Sequence, residues 1–283
     1  VIAIGANVKR NLTTSLFAFV ALALGASYPG ARAATPFPVS QAASKSCGTI
    51  SVAAASDLVY AINEIAGNFE KATGCTVRVS AGSSGNFLSQ IENGAPFDIF
   101  FSADIEYPKK LESEGLATAG STYLYAVGKI VLWVRSDSRL DVSRGFEVLR
   151  DPSIQKLSIA NPQHAPYGRA AEQALRGAGV YDAVKDRLVL GENISQAAQF
   201  VESGNAEVGV LALSLVLSPP LKDKGRLWNI PENLYSPIRQ GAVVLSGSKN
   251  PQGAQQFLAY IKSPAIASLL ERYGFTLPRE GKS

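Results

Sequence analysis

The sequence predicts an α/β fold of two lobes joined by hinge strands. Three observations carry that prediction: strand and helix patterns alternate from residue 48, a second alternating set begins near residue 156, and long apolar extended stretches occupy residues 123–135 and 236–247. Taken in order, TISVAAA (49–55) is a short apolar strand, and LVYAINEIAGNFEKATG then spaces Leu58, Ile62, Ile65 and Phe69 at helical intervals. TVRVSA follows as a strand, NFLSQIENG as a helix and FDIFFSA as a buried strand. YPKKLESEG reads as a helix stopped by Gly115. A β-α-β-α-β run implies a parallel sheet with right-handed crossovers and helices on both faces.

YLYAVGKIVLWVR (123–135) exceeds the usual strand of about 5–6 residues, so it is expected to cross between lobes. The second set comprises KLSIAN, GRAAEQALRGAG, RLVLGEN, ISQAAQFVESG and AEVGVLA. SPIRQGAVVLSG (236–247) is the second crossing stretch and leads to two helices, AQQFLAYIKS and AIASLLERYG. Two α/β lobes joined by two crossing strands is the layout of a type II-like periplasmic-binding-protein fold, hinged at those strands and closing over a ligand. The expected division is 48–127 plus 240–283 for lobe 1 and 128–239 for lobe 2.

Residues 1–33 differ from the rest. Lys9 and Arg10 precede a non-polar run from Leu16 to Ala26, followed by Ala31-Arg32-Ala33. This pattern is that of a secretory signal peptide cleaved after Ala33, with an N-terminal anchor or buried helix as the alternative. The apolar run is too short for a bilayer, which needs about 20 residues. Residues 34–47 read as a flexible lead-in, and the expected location is the periplasm. The chain of 283 residues carries 27 basic and 23 acidic side chains, formally +4. Losing Lys9, Arg10 and Arg32, and no acid, leaves 24 against 23, so the basic excess is mostly in the leader. With no basic block, nucleic acid is not an expected partner. One His and two Cys are too few for a zinc site made of those residues alone.

Cys47 and Cys75 each sit just before a predicted strand, and the first two strands of a βαβ unit are usually neighbours. Their N-terminal ends then lie within disulfide range. Two unrelated buried thiols are the alternative; an oxidising compartment favours the bridge.

In open α/β sheets, ligands sit beyond the carboxyl ends of strands. The predicted strand-to-helix junctions there carry small, hydroxylated or Gly-rich runs: 53–57 (AAASD), 81–86 (AGSSGN), 161–168 (NPQHAPYG) and 191–195 (GENIS). Free backbone N–H groups and Ser hydroxyls at such places suit an oxyanion. Any one Ser or Asp there is more simply an N-cap; their joint placement points to a site. The acids Glu64, Asp98 and Asp104 lack the paired spacing of a hydrolase, no G-x-S-x-G occurs, and His164 reads as a loop-orienting residue.

The runs ISVAAASDL, GSSGNFLSQIENGAPFDIFFSAD, NPQHAPYGRAAEQAL, GENISQAAQFV and ERYGF resemble the periplasmic molybdate-binding proteins of ABC importers, over about residues 48–277. That resemblance implies a monomeric carrier, not an enzyme, that captures molybdate or tungstate with neutral donors and passes it to a membrane permease. No cofactor and no direct metal ligand are expected. Carried over motif by motif, the oxyanion ligands are Ser56, Ser83 with Ser84 adjacent, Tyr167 and Ile194, the last through its backbone N–H. Asp57 is expected to offer only its N–H, its carboxylate turning away to cap a helix or meet Arg or Lys. Some family members place a Tyr where this chain has Ala212, and the Tyr167 phenol is the expected replacement. An enzyme on the same architecture and the sensing half of a transcription regulator are the competing classes; the former lacks a His/Asp/Cys constellation, the latter a helix-turn-helix.

Overall fold

A computed structural model describes residues 47–278; the expected signal peptide, and the lead-in up to residue 46, lie outside them. The first sheet begins with β1 (Thr49–Ala55), a 3-10 turn (Ser56–Leu58) and α1 (Val59–Thr73). It continues with β2 (Thr76–Gly82), α2 (Ser84–Glu92), β3 (Ile99–Ser102), α3 (Glu106–Ser113) and β4 (Tyr123–Gly128). The chain then enters a second sheet with β5 (Ile130–Arg135), a kinked 3-10 segment (Val142–Arg150) and β6 (Leu157–Ala160). There follow α4 (Pro166–Gly177), α5 (Tyr181–Val184), β7 (Leu188–Gly191), α6 (Ile194–Glu202), β8 (Val208–Ala212), α7 (Leu213–Val216) and β9 (Gly225–Asn229). The chain returns to the first sheet as β10 (Ile238–Val244) and ends with α8 (Pro251–Ile261) and α9 (Pro264–Arg272).

The strand orders are β2-β1-β3-β10-β4 and β7-β6-β8-β5-β9. Each sheet is parallel across its βαβ units, but β10 runs antiparallel to β3 and β4, and β5 antiparallel to β8 and β9. The β1–β3 run is parallel as expected, and each sheet holds one antiparallel strand, β10 or β5, which a chain crossing delivers from the opposite end. The stretch 123–135 does cross between sheets, broken at Lys129 into β4 and β5. The second stretch does not: β10 lies wholly in the first sheet, and residues 230–237 make the crossing. β9 is an additional strand, an edge element whose polar Arg226 and Asn229 hide it from a hydrophobic-run reading.

Alternation along the strands decides which helices pack where. In the first sheet Ile50, Val52, Ala54, Phe101 and Val244 face α1, α8 and α9, while Ala53, Phe100 and Val243 face α2 and α3. Phe69, Phe101 and Phe257 meet edge-on on the first face, with centroids 5.0 Å (Phe69–Phe257) and 5.9 Å (Phe101–Phe257) apart. Such contacts add about 0.5–1.5 kcal/mol each to the burial of the rings. α1 stops at Gly74, which takes φ 73°, a left-handed turn that a side chain resists. Just beyond it, Cys75 is disulfide-bonded to Cys47, with Cα atoms 4.8 Å apart, next to the Thr49–Thr76 strand pair. The bridge therefore sits at the amino ends of β1 and β2. Among the described residues no helix is long and apolar enough to cross a membrane.

Candidate functional site

The opposite, carboxyl ends of the strands converge between the sheets. The β1–β2 register pairs Ala55 with Gly82, which sets Ser56 beside Ser83 where the two strands end. The β6–β7 register pairs Ala160 with Gly191, so the loops into α4 and α6 start level with one another. From these four junctions the structure brings Ser56, Asp57, Ser83, Ser84, Tyr167 and Ile194 around one cavity, together with Asn193 and Pro166. Its cavity volume is about 10 Å³, so the walls stand nearly closed on one another. Sites for drug-sized molecules run to roughly 300–1,000 Å³, so this one suits a small ion.

The hydroxyls at these junctions do not act as plain helix caps. Ser83 precedes α2 but makes no cap bond; its Oγ donates across the cleft to the carbonyl of His164 at 2.5 Å and lies 2.9 Å from His164 Nδ1. The Gly85 N–H donates to the same carbonyl at 2.9 Å, and a Cβ at Gly85 would come within 2.6 Å of it. Close approach of the two walls therefore requires glycine there. Ser56 faces Ser195, whose Oγ donates to the Ser56 carbonyl at 3.0 Å. Ser84 accepts the Ala103 N–H at 2.9 Å, which fixes its rotamer against the end of β3. Asn193 is a true cap, its Oδ1 accepting from the N–H groups of Ser195 and Gln196; the Ile194 N–H, one residue earlier, is outside that cap. Pro166 opens α4, where its missing N–H costs nothing, and Tyr167 follows in the first turn, whose N–H groups have no partner within the helix.

The electrostatics of the lining are unusual for an anion site. Among the described residues no Lys, Arg or His lines it, and Asp57 is the one carboxylic acid that does. The Asp57 side chain neither caps a helix nor meets a cation, and that expectation is corrected: Oδ2 accepts the Gln240 Nε2–H at 2.6 Å, and Oδ1 is buried without a hydrogen-bond partner. Burial pushes the carboxyl up to about 6, against the opposing pull of the Gln240 amide and the Tyr167 phenol. Gln240 is fully buried, and its Nε2 also donates to Tyr167 Oη at 2.9 Å while its Oε1 accepts the Tyr125 hydroxyl at 2.7 Å. Burial raises the phenols of Tyr125 and Tyr167 well above their usual range, with the Asp57 charge adding to both. The Tyr167 hydroxyl, the expected replacement for the family Tyr missing at Ala212, is thus engaged with Gln240 instead. It also lies against Gly128, where a Cβ would overlap it.

Sequence reasoning missed Gln240, Tyr125, Ser195 and Ser214, whose Oγ donates to the Asp57 carbonyl at 2.8 Å. Gln240 carried a signal, being the one amide in the otherwise apolar centre of IRQGAVV. Ala212 is fully buried at the end of β8 and offers no hydroxyl. The scattered acids serve elsewhere. Asp104 pairs with Arg169 across the cleft rim at 2.6 Å, Glu64 receives Arg272 and Tyr273, and Asp98 accepts from Ser51, Ser248, Lys249 and Asn250. Among the described residues no group of three His, Cys, Asp or Glu side chains is placed to hold a metal ion.

Residues 50–276 match the family of bacterial extracellular solute-binding proteins. A molybdate-binding protein ModA of Azotobacter vinelandii is 46% identical over 228 residues, spanning 81% of this chain and 90% of that protein. A ModA of Rhodobacter capsulatus is 40% identical over 228 residues, spanning 81% and 88%. A solved structure of an Azotobacter vinelandii periplasmic molybdate-binding protein superimposes with a TM-score of 0.77 at 37% identity, covering 81% of this chain and all of that one. This chain belongs to the bacterial extracellular solute-binding protein family, alongside these molybdate-binding relatives.

Proposed function

We propose that this protein is an extracytoplasmic carrier that captures molybdate, and tungstate with it, between its two lobes and delivers it to the permease of an ABC importer. The observation that supports this most is the cavity itself: four strand-to-helix junctions, two from each sheet, surround an ion-sized space with hydroxyls and helix-start N–H groups and no cation. The names of its 46% and 40% identical relatives supply the ligand class. The proposed donors are the hydroxyl and N–H of Ser56, the hydroxyl of Ser83 with Ser84 behind it, and the N–H groups of Tyr167 and Ile194. They act by position: oriented dipoles in a water-poor site stabilise a dianion without a counter-charge. The lobes, 48–127 with 240–283 and 128–239, hinge at Gly128–Lys129 and at residues 230–237. Closure sets the distance between donors of the two lobes, so a smaller oxyanion leaves buried donors unpaired at a cost of about 1–3 kcal/mol each. The carrier acts as a monomer in the periplasm after removal of residues 1–33, and catalyses no reaction.

The test is calorimetric titration of the purified protein with molybdate, tungstate, sulfate and phosphate. Tight one-to-one binding of the first two and weak binding of the others is expected; sulfate binding as tight as molybdate overturns the assignment.

A further inference from the structure

A carboxylic acid in the wall of a dianion site needs its own account. Asp57 is 2% exposed and lines the cavity, with Oδ2 held by Gln240 and Oδ1 buried and unpartnered. The titratable groups around it are phenols: Tyr125 from β4 and Tyr167 from α4, with Tyr235 behind the latter. The other elements packed on this turn bring uncharged groups: Gly82 from β2, Ser195 from α6, Ser214 from α7 and Gln240 from β10. His164, whose Nε2 lies 3.8 Å from Glu192, and the Arg169–Asp104 ion pair stand outside the lining. Burial alone already disfavours the ionised form of Asp57. An arriving dianion adds two like charges in the same water-poor space, and no Lys or Arg in the lining offsets them.

A proton resolves both difficulties. It removes the repulsion, and it turns the unpartnered Oδ1 into a hydrogen-bond donor. We propose that capture of the oxyanion is coupled to uptake of one proton by Asp57, so that the loaded cleft holds the dianion beside a neutral carboxylic acid. The proposal rests on the oxyanion reading above. Its balance is simple: ionised carboxylate, one proton from the buffer and the dianion enter, and the complex of carboxylic acid and dianion results, with no bond of the oxyanion broken. The donor set fixes where the anion sits, and Asp57 fixes the protonation state in which the site accepts it.

The experiment is calorimetry of molybdate binding at pH 7.5 in two buffers of different ionisation enthalpy, which counts protons taken up per anion. The protein is expected to take up about one proton, falling toward none below pH 6, with Kd weakening up to about tenfold per pH unit above pH 7. Asp57→Asn should bind with no uptake and a flat pH profile, whereas His164→Gln should keep the uptake and so clear the only imidazole. Binding without proton uptake in the unaltered protein overturns the proposal, a measurement that needs no variant to fold. So does uptake that survives Asp57→Asn or disappears in His164→Gln. A protein that binds none of the oxyanions refutes the functional reading itself, and this one with it.

Discussion

Replacing Asp57 by Asn removes a charge that the anion-free fold carries at a loss, and pH exposes the size of that loss. Burial raises the carboxyl from 3.8 to about 6. At about 1.36 kcal/mol per pKa unit, the shift corresponds to about 3 kcal/mol. The sign follows from proton counting. Between 3.8 and about 6 the folded protein binds more protons at this site than the unfolded chain, so its stabilising contribution is complete below 3.8 and is lost as pH rises through about 6. An Asn carries no such dependence. Urea unfolding of both proteins without oxyanion at pH 4, 5, 6 and 7 should show the stability difference moving in favour of Asp57→Asn by about 2–3 kcal/mol across that range. Any fixed cost of the amide, such as an N–H placed where Oδ1 now lacks a partner, is the same at every pH and cancels from the slope. Parallel curves would refute the burial argument, and with it the electrostatic picture of the cleft.

Ser83→Ala removes a cleft hydroxyl and should weaken molybdate binding by about 1–3 kcal/mol in calorimetry; an unchanged Kd places the anion elsewhere. Tyr167→Phe leaves a buried Gln240 N–H without its acceptor, so unfolding by urea should report a loss of about 1–3 kcal/mol. Gly128→Ala puts a methyl group onto Tyr167 Oη and 2.8 Å from Gln240 Nε2, and should hold the lobes apart. A larger radius of gyration in solution scattering and weaker binding are the expected results. Cys47→Ser with Cys75→Ser opens a loop of 28 residues, worth about 3.6 kcal/mol in chain entropy. Because the bridge lies at the strand ends away from the cleft, stability should fall in urea while Kd stays the same.

Local patterns made most of the elements legible. TISVAAA, TVRVSA and FDIFFSA differ from their neighbouring helices in apolar period, and the strand-end runs AAASD and AGSSGN stand out by their small residues. Strand direction was not legible, because nothing local in IRQGAVV says that it returns antiparallel between β3 and β4. The division of 123–135 at Lys129 was hidden for a similar reason: a continuous apolar run reads as one strand until two sheets claim its halves. Ser56, Ser83, Tyr167 and Ile194 were named from a family resemblance at junctions where a strand gives way to a helix, and the structure gathers them around one cavity. The fate of Asp57 was not legible, since its partner is Gln240, 183 positions away, and a carboxylate beside a hydroxyl gives no local hint of an amide. The expected helix cap or Arg or Lys partner for Asp57 is replaced by Gln240, since no cation among the described residues lines the cavity.

The return of β10 to the first sheet also governs the order in which the molecule can be completed. The second sheet is drawn from one unbroken run, β5 to β9, and has all its strands once residue 229 has been synthesised. The first sheet does not. Until β10 is inserted, β3 and β4 have no bond between them, and until α8 and α9 arrive the Phe69 face of the sheet is uncovered. A chain emerging from its N-terminus therefore holds half of its structure open until its last fifth is available, with long-range contacts as the final step. More than half of the cavity's lining stands on that sheet, so a protein cut short before residue 238 should keep its second sheet and lose the pocket.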